Sequence, residues 1–430
     1  MMSRMIVVVC SIALMLSVAV NSADQVTMHL VESIPQQTDK TLPIEGRSTF
    51  DTWMTIIQGA KETLHIGQYY WCLGVGADYQ NYDGWEGAKV LDAIVAAKKR
   101  GVDVLVVRNT PGSETIGNDA EVMQAAGIPV TTINFTQLGL SGIFHTKMMV
   151  ADGKNVYVGS ANADWRSLSQ VKEMGVAVFN SKELGEDAER IFRTVHDAAV
   201  HGSIPEKWPA EYSALYNDDA PLTIHDVNGV AGNDAQIYLA VSPDQFCASQ
   251  RTTAMDSTRK LFTRAQSTID IEVMDYLPCS CYMPTNMYWP DLDDLIRSAA
   301  YAGKQVRMLI GLWNYTKPAM AQYLASLDAL DNIDVRWFKV PELEGMEPVE
   351  YTRVNHAKFF VTDSESYVST NNWIADYFLS THGINVIVKN EVLRQSLQTA
   401  FNRDWSSPYT KFLNETGPGH LFVTKEDEAQ

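Results

Sequence analysis

A histidine and a lysine two residues apart occur twice in this chain of 430 residues, at His145-Thr-Lys147 and at His356-Ala-Lys358. Residues two apart on a strand project from the same face. Brought together, two imidazoles and two ammonium groups suit a phosphate group. One imidazole can attack phosphorus while the other protonates the leaving oxygen, and the lysines hold the equatorial oxygens. Such a site needs no metal and no other cofactor.

The flanks of these pairs are also similar. The first copy reads HxKxxxxDxxxxxxGSxN, and the second keeps the aspartate and the asparagine but has Ser369-Thr370 where the first has Gly-Ser. A single copy would more simply be a core histidine beside a lysine. Two copies at equivalent places favour a functional site, to which Asn162 and Asn372 would add two amides.

The motif belongs to a longer internal repeat. Ala60–Ile66 resembles Ala265–Ile271, and Ala96–Gly101 resembles Ser298–Gly303, in the same order and about 200 residues apart. The sequence therefore predicts two halves, 24–235 and 236–430, that share one site across a pseudo-twofold axis.

Each half has the same pattern of elements. Helices alternate with apolar strands, which is typical of an α/β fold with mostly parallel, buried sheets flanked by helices. The predicted helices are 50–61, 87–100 and 182–199 in the first half and 256–265, 291–302 and 390–404 in the second; the predicted strands are 63–71, 102–107, 268–276 and 304–310.

Composition limits the class of protein. The chain is 46% hydrophobic and 20% charged, which excludes a disordered chain, a fibre and a multi-span membrane protein. Its net charge of −18 argues against a broadly basic nucleic-acid-binding surface. A local pocket built on Lys147 and Lys358 remains compatible with it. Since the charge falls towards zero in acid, we expect activity on polyanions to be better near pH 5 than at pH 7.

The N-terminus predicts a secretory signal peptide, residues 1–22, because a short apolar run follows Arg4 and ends in small residues. Cleavage would give a secreted or endolysosomal protein without a transmembrane span; a retained anchor is the alternative. Three sequons, at Asn134, Asn314 and Asn414, are predicted glycan sites.

Four cysteines follow the signal segment. In an oxidising compartment they could form two disulfides, although sequence does not determine the pairing. We expect Cys279 or Cys281 to pair with Cys247 and Cys72 to be buried. A zinc site is disfavoured because there is no CxxC and no nearby histidine.

The duplicated motif resembles the phospholipase D superfamily, over about residues 46–412. Within it, the flanks are similar to the animal endolysosomal branch, phospholipase D family members three and four. These flanks include Tyr69-Tyr-Trp71, Asp275-Tyr-Leu-Pro278 and Asn371-Asn-Trp373. The resemblance implies two α/β halves packed sheet to sheet around one site. It also implies a phosphohistidine intermediate and 5′ exonuclease action on single-stranded DNA or RNA at acid pH, or lipid transfer.

The resemblance also implies residue roles. His145 and His356 would be the nucleophile and the general acid/base, with His145 favoured as nucleophile. Glu173 would orient the histidine of the opposite half, whereas Gly383 stands at the equivalent place, so no acid is identified for His145. The predicted phosphate ligands are Lys147, Lys358, Asn162, Asn372 and Ser160. The candidate catalytic set also includes Asp152 and Asp363, whose expected role is to support loops.

Three functions remain open. An exonuclease predicts an aromatic-lined groove, with single-stranded nucleic acid as substrate and not as a stable partner. A phospholipase or transphosphatidylase predicts an exposed apolar rim that meets lipid. A non-catalytic binding protein is disfavoured by the intact motifs, and a homodimer is left open. The aromatic candidates for the groove are Tyr69, Tyr70, Trp71, Trp165, Trp313 and Trp373.

Overall fold

The computed structural model describes residues 25–112, 117–283 and 286–415, so the predicted signal peptide lies outside it. The first half contains strands and helices in alternation. Its strands are β1 Thr27–Ser33, β2 Arg47–Ser48, β3 Thr63–Gln68, β4 Trp71–Cys72, β5 Asp103–Asn109, β6 Val130–Ile133, β7 Met148–Ala151, β8 Asn155–Gly159, β9 Ala163–Asp164 and β10 Glu173–Phe179. Its helices are α1 Thr49–Gly59, α2 Trp85–Lys99, α3 Asp119–Ala125, α4 Trp165–Ser169 and α5 Lys182–His201.

The second half repeats this sequence of elements. Its strands are β11 Leu222–Ile224, β12 Ala235–Ser242, β13 Thr268–Val273, β14 Tyr276–Leu277, β15 Gln305–Gly311, β16 Ile333–Phe338, β17 Lys358–Thr362, β18 Ser366–Ser369, β19 Trp373–Ile374, β20 Gly383–Lys389 and β21 Thr410–Phe412. Its helices are α6 Ala254–Arg264, α7 Asp291–Tyr301, α8 Met320–Asp328, α9 Ala375–Leu379 and α10 Glu391–Trp405. All six predicted helices and four predicted strands are confirmed, with ends shifted by a few residues.

The main sheets have the same strand order. The first contains β1-β10-β8-β7-β3-β5-β6, and the second contains β12-β20-β18-β17-β13-β15-β16. The α/β class and the duplication are therefore confirmed. Strand β11 pairs with β12, so the second sheet begins before the predicted boundary at residue 236.

The expectation of mostly parallel neighbours needs correction. Parallel pairing is found in β3-β5-β6 and in β13-β15-β16. The strands β7 and β17, which follow the motif histidines, are antiparallel to both neighbours. Each is joined to the next strand in the chain by a short hairpin turn, which makes that pair antiparallel. Both sheets are mixed.

The long helices that close each half have clear local signals. Ser181 caps α5 by accepting a hydrogen bond from the Leu184 N–H, and Gly202 ends the helix in the left-handed region at φ 64°. Asn390 caps α10 in the same way, through the Leu393 N–H. Side chains of both helices pack in the core that the two sheets share.

One core joins the two halves. Apolar side chains of both sheets and of α5 and α10 form a single buried cluster, which includes Val158, Val176, Val361 and Val386. Separate clusters lie beneath the outer helices of each half. The two sheets therefore face each other across a shared apolar layer.

Buried ion pairs cross this layer. The Lys172 ammonium lies 2.9 Å from Glu272 and 2.8 Å from Asp404, with all three side chains fully buried. The Arg251 guanidinium donates to the Asp187 carboxylate, with an Nη2–Oδ1 distance of 2.9 Å. Each pair links residues from different halves, so separating the halves would expose unpaired charges.

The predicted disulfide is wrong for the described residues, in which no disulfide joins the cysteines. Cys247 packs against the core between the sheets, and its Sγ lies 3.6 Å from the Val241 carbonyl oxygen. Cys279 and Cys281 pack against the separate core of the second half. The prediction that Cys72 is buried is confirmed.

The described surface carries the three predicted sequon asparagines. Asn134, Asn314 and Asn414 are exposed, although the third residue of the last sequon lies outside the described part. Among the described helices, none is long and apolar enough to cross a bilayer.

Arg251→Met should strongly destabilise the protein, because it leaves the Asp187 carboxylate buried without its cation. We expect a loss of about 3–5 kcal/mol in the free energy of unfolding, measured by urea titration. The matched control is Arg394→Met, which removes an exposed pair with Glu391 and should cost under about 1 kcal/mol. Equal losses in the two variants would contradict the role of the buried pair.

Candidate active site

The two motif histidines lie just before β7 and β17, where each chain segment touches the opposite half. The His145 N–H donates to the His382 carbonyl at 2.9 Å, and the His356 N–H donates to the Lys172 carbonyl at 2.8 Å. Short parallel bridges, Phe144 with His382 and Asn355 with Lys172, accompany these bonds. The pseudo-twofold repeat thus places each histidine at the boundary between the halves.

The imidazole rings are also oriented from the opposite half. Nδ1 of His145 lies 2.9 Å from the carbonyl oxygen of Thr370, and Nδ1 of His356 lies 2.8 Å from Oε2 of Glu173. A carbonyl can only accept, so Nδ1 of His145 carries the hydrogen and Nε2 keeps its lone pair. The predicted contact of Glu173 with the opposite histidine is present.

The two motif lysines are fully buried beside the histidines. Nζ of Lys147 donates to the His145 carbonyl at 2.6 Å, and Nζ of Lys358 donates to the His356 carbonyl at 2.5 Å. The Lys147 ammonium also lies 5.4 Å from the centroid of the Tyr69 ring. Each ammonium is therefore held over the peptide that carries its own histidine, with donors left for an anion.

Burial and mutual repulsion shift the pKa values of these groups. Burial and the charges of Lys147 and Lys358 hold the pKa of His145 well below its usual value. The pKa of His356 is lowered for the same reasons. Burial lowers the pKa of Lys358 to about 7 and raises the pKa of Glu173 to about 7. These interactions place residues from both halves in a single electrostatic site.

The two motif asparagines line the same site. Asn162 and Asn372 are buried, and Oδ1 of each lacks a hydrogen-bond partner among the described residues. Nδ2 of Asn372 donates to Asp275 at 3.2 Å. Asp275 is a site residue that the sequence motif does not single out, and burial raises its pKa to about 6.

Ser160 supports Glu173, and its role as a phosphate ligand stays a prediction. Its hydroxyl donates to Oε2 of Glu173 at 2.5 Å and accepts the Met174 N–H at 2.9 Å. Thr370 accepts the Ile384 N–H at 3.0 Å in the equivalent place. The change from Gly-Ser to Ser-Thr therefore preserves this local bond.

The two halves of the site differ at the position equivalent to Glu173. Gly383 occupies that position, and a Cβ there would overlap the Oδ1 atom of Asn371. The Asn371 side chain occupies this space, and its Nδ2 donates to the Ser242 hydroxyl and to the Tyr377 carbonyl, each at 3.0 Å. His145 consequently has a backbone carbonyl as its partner where His356 has a carboxylate.

The motif aspartates lie at the far ends of β7 and β17 from the histidines. Asp152 accepts the backbone N–H groups of 61–63, and Asp363 accepts those of 266–268. Their place in the candidate catalytic set is therefore wrong: they hold the turns before β3 and β13, which agrees with the expected role in supporting loops.

Most aromatic candidates belong to the core. Trp71, Trp165 and Trp373 are each 1% exposed. Tyr69 lies beside the site, with its ring centroid 5.2 Å from that of His145. Tyr377, which no motif indicates, contacts His145 from another side at 5.0 Å. Trp313 is partly exposed.

Several known proteins are similar to this chain in sequence. Residues 43–343 match the family described as "PLD3/4, PLD-like domain". Phospholipase D Z of Dictyostelium discoideum is 42% identical over 390 residues, 89% of this chain and 90% of the relative. The 5'-3' exonuclease PLD3 of Xenopus laevis is 36% identical over 413 residues, 91% of this chain and 82% of the relative.

A solved structure supports the fold. The phosphatidylserine synthase of Haemophilus influenzae Rd KW20 is similar with a TM-score of 0.58, over 86% of this chain and 88% of that one, at 12% identity. At 12% identity this similarity shows the fold alone, whereas the relatives with similar sequences show the family. The chain belongs to the PLD3/4-like branch of the phospholipase D superfamily and is a phosphodiesterase.

Proposed function

We propose that this phosphodiesterase is a 5′-to-3′ exonuclease on single-stranded DNA or RNA, acting at acid pH through a phosphohistidine intermediate. The observation that carries the proposal is the pair of imidazoles, His145 buried and His356 partly buried, each fixed at Nδ1 by the opposite half beside two buried lysines. Relatives named 5'-3' exonuclease support the choice of substrate.

His145 is the nucleophile in this proposal. Its Nδ1–H donates to a neutral carbonyl. The lowered pKa of His145 keeps the ring uncharged in mild acid, with no hydrogen on Nε2. The Nε2 lone pair is then available to attack phosphorus.

His356 is the general acid. When the pair that it forms with Glu173 holds one extra proton, Nε2 carries a hydrogen whichever partner holds that proton. With the proton on the imidazole, Nδ1 donates to the carboxylate; with it on Glu173, the carboxyl group donates to Nδ1. In both cases Nε2–H faces the leaving oxygen.

The two steps conserve atoms and charge. The Nε2 atom of His145 forms a bond to phosphorus as the phosphorus–oxygen bond to the leaving group breaks, and that oxygen takes the proton from His356. Water then attacks phosphorus, gives a proton to His356 and releases His145. Lys147, Lys358 and the two motif asparagines stabilise the negative charge on the equatorial oxygens.

Acid operation follows from the same groups. As pH rises through about 7, the His356–Glu173 pair loses its extra proton and Lys358 loses charge, since the pKa values of Glu173 and Lys358 are both near 7. General-acid catalysis and phosphate binding then weaken together. His145 sets the lower limit, because it must stay neutral.

A phospholipase is the second candidate. Tyr282, Met287 and Tyr288 are 56%, 37% and 66% exposed, which supports an apolar rim that could meet lipid. Lys317 lies 4.9 Å from the Tyr282 ring centroid, and its charge acts on Asp275, so this rim borders the site. The Dictyostelium relatives named phospholipase D support the same alternative.

We also propose that the protein acts outside the cytosol, in the secreted or endolysosomal lumenal compartment. The predicted signal peptide and the exposed sequon asparagines support this location. The protein for the assays should therefore be collected from the medium of animal cells. If the N-terminal sequence of that protein begins before residue 22, cleavage of the signal peptide is contradicted.

Incubation at pH 5 with EDTA should release nucleotides stepwise from a 5′-hydroxyl single-stranded oligonucleotide. His145→Ala should abolish release, because it removes the nucleophile, and gel analysis of end-labelled substrate follows the steps. Phosphatidylcholine vesicles run in parallel. Choline release with an intact oligonucleotide would favour the phospholipase and contradict the exonuclease.

Glu173→Gln should lower kcat by roughly 10²-fold or more, because the amide no longer supports a protonated His356. The matched control is Glu189→Gln, which alters another buried Glu–His pair, with His65 at 2.7 Å. Steady-state kinetics on the oligonucleotide should show a change within about threefold for this control. Similar losses in both variants would indicate a folding defect instead of a role in proton transfer.

The pH profile of kcat/KM should fall as pH rises through about 7, with higher activity at pH 5 than at pH 8. The cause is loss of the proton held by the His356–Glu173 pair and of charge on Lys358. The measurement uses constant ionic strength, since salt also screens phosphate binding. A flat profile over this range would argue against the assignment of these groups.

A further inference from the structure

Three aromatic side chains form a partly exposed group at the end of β15 and before His356. The rings of Tyr315 and Tyr351 are stacked, with centroids 5.1 Å apart and planes at 15°. The Trp313 ring meets that of Tyr315 edge-on at 4.9 Å. We refer to these three residues as the aromatic shelf.

Contacts within the second half place the shelf next to the active site. A Cβ at Gly311, two residues before Trp313, would lie 3.0 Å from the carbonyl oxygens of Met274 and Asn355. Asn355 precedes His356, and Sδ of Met274 lies 4.0 Å from Nζ of Lys358. The backbone that supports the shelf is therefore packed on the backbone that supports the site.

A chain of contacts in the first half reaches the same place. The Tyr69 ring, beside His145, lies 5.2 Å from the Tyr70 ring. The Tyr70 hydroxyl donates to Asp164 at 2.7 Å, and Asp164 pairs with Arg166 at 2.7 Å. The Arg166 guanidinium lies 5.6 Å from the centroid of the Tyr351 ring. The shelf is thus connected to the surroundings of His145 through buried side chains of the first half.

The shelf differs from the core aromatics in exposure and in support. Tyr315 is 48% exposed, yet its hydroxyl is fixed by Glu350, which accepts a hydrogen bond at 2.5 Å. A ring that is exposed and already oriented loses little entropy when a flat ligand stacks on it. The adjacent carboxylate disfavours phosphate, so this surface suits an uncharged base.

We propose that the aromatic shelf stacks bases of the single strand on the 3′ side of the scissile phosphate. This inference rests on the proposed exonuclease function and assigns it a base-binding subsite. Stacking on aromatic side chains is tolerant of sequence, because every base has a π-face. The strand would extend from the histidines over the shelf, with its phosphates turned away from Glu350.

The test compares Tyr315→Ala/Tyr351→Ala with Tyr301→Ala, whose side chain is 81% exposed at the end of α7. Substrates are 5′-hydroxyl decathymidylate and bis(p-nitrophenyl) phosphate, which has no base. The double variant should raise KM for the oligonucleotide by roughly 5- to 100-fold with little change in kcat. It should hydrolyse the small diester like the wild type, as should Tyr301→Ala on both substrates.

Two further comparisons guard against misfolding. Tyr315→Phe keeps the ring and should retain a KM near that of the wild type. An oligonucleotide with abasic residues beyond the first nucleotide should show, with the wild-type protein, the same raised KM that the double variant shows on decathymidylate. Because Asn314 is a predicted glycan site within the shelf, all variants are also measured with Asn314→Gln.

The outcomes separate the two proposals. An unchanged KM for decathymidylate in the double variant, with active wild type, would overturn the shelf alone. An equal loss on the small diester would also overturn it, because the defect would lie in the site. Wild-type protein that hydrolyses the diester but leaves decathymidylate intact would overturn the exonuclease function and the shelf together.

Discussion

Each motif imidazole is held by the half of the chain that does not contain it. The backbone N–H and the Nδ1 atom of His145 both bond to carbonyls of the second half, and those of His356 bond to Lys172 and Glu173 of the first. Neither half alone can therefore orient its own motif histidine. The shared apolar layer and the buried ion pairs keep these four bonds in place, so stability and catalysis depend on one interface.

The same interface explains how an acidic protein can bind phosphate. Two lysines are buried at the centre of a chain whose net charge is −18. Burial in a site of low dielectric disfavours both ammonium charges, and for Lys358 the charges of Glu173 and Asp275 offset only part of that cost. A phosphate supplies the missing negative charge locally. Overall charge therefore affects encounter with the substrate more than binding at the site.

The duplicated motif was enough to predict both histidines and both lysines. The alternation of helices and apolar strands predicted the α/β halves, and the family resemblance predicted the contact of Glu173 with the opposite half. The partner of His145 could not be predicted, because it is the backbone carbonyl of Thr370, which any residue type would supply. Asp275 was missed since it lies outside the repeated motif. The cysteine pairing failed because cysteine counts carry no information on which core each thiol joins.

The most direct test of the two-histidine account is to trap the covalent intermediate. In His356→Asn protein, bis(p-nitrophenyl) phosphate can still react, because its leaving group needs little protonation, whereas hydrolysis of the intermediate lacks its base. Mass spectrometry after alkaline quenching should then find a phosphoryl adduct on the peptide containing His145. An adduct that forms in His145→Asn protein, or in neither variant, would contradict the account.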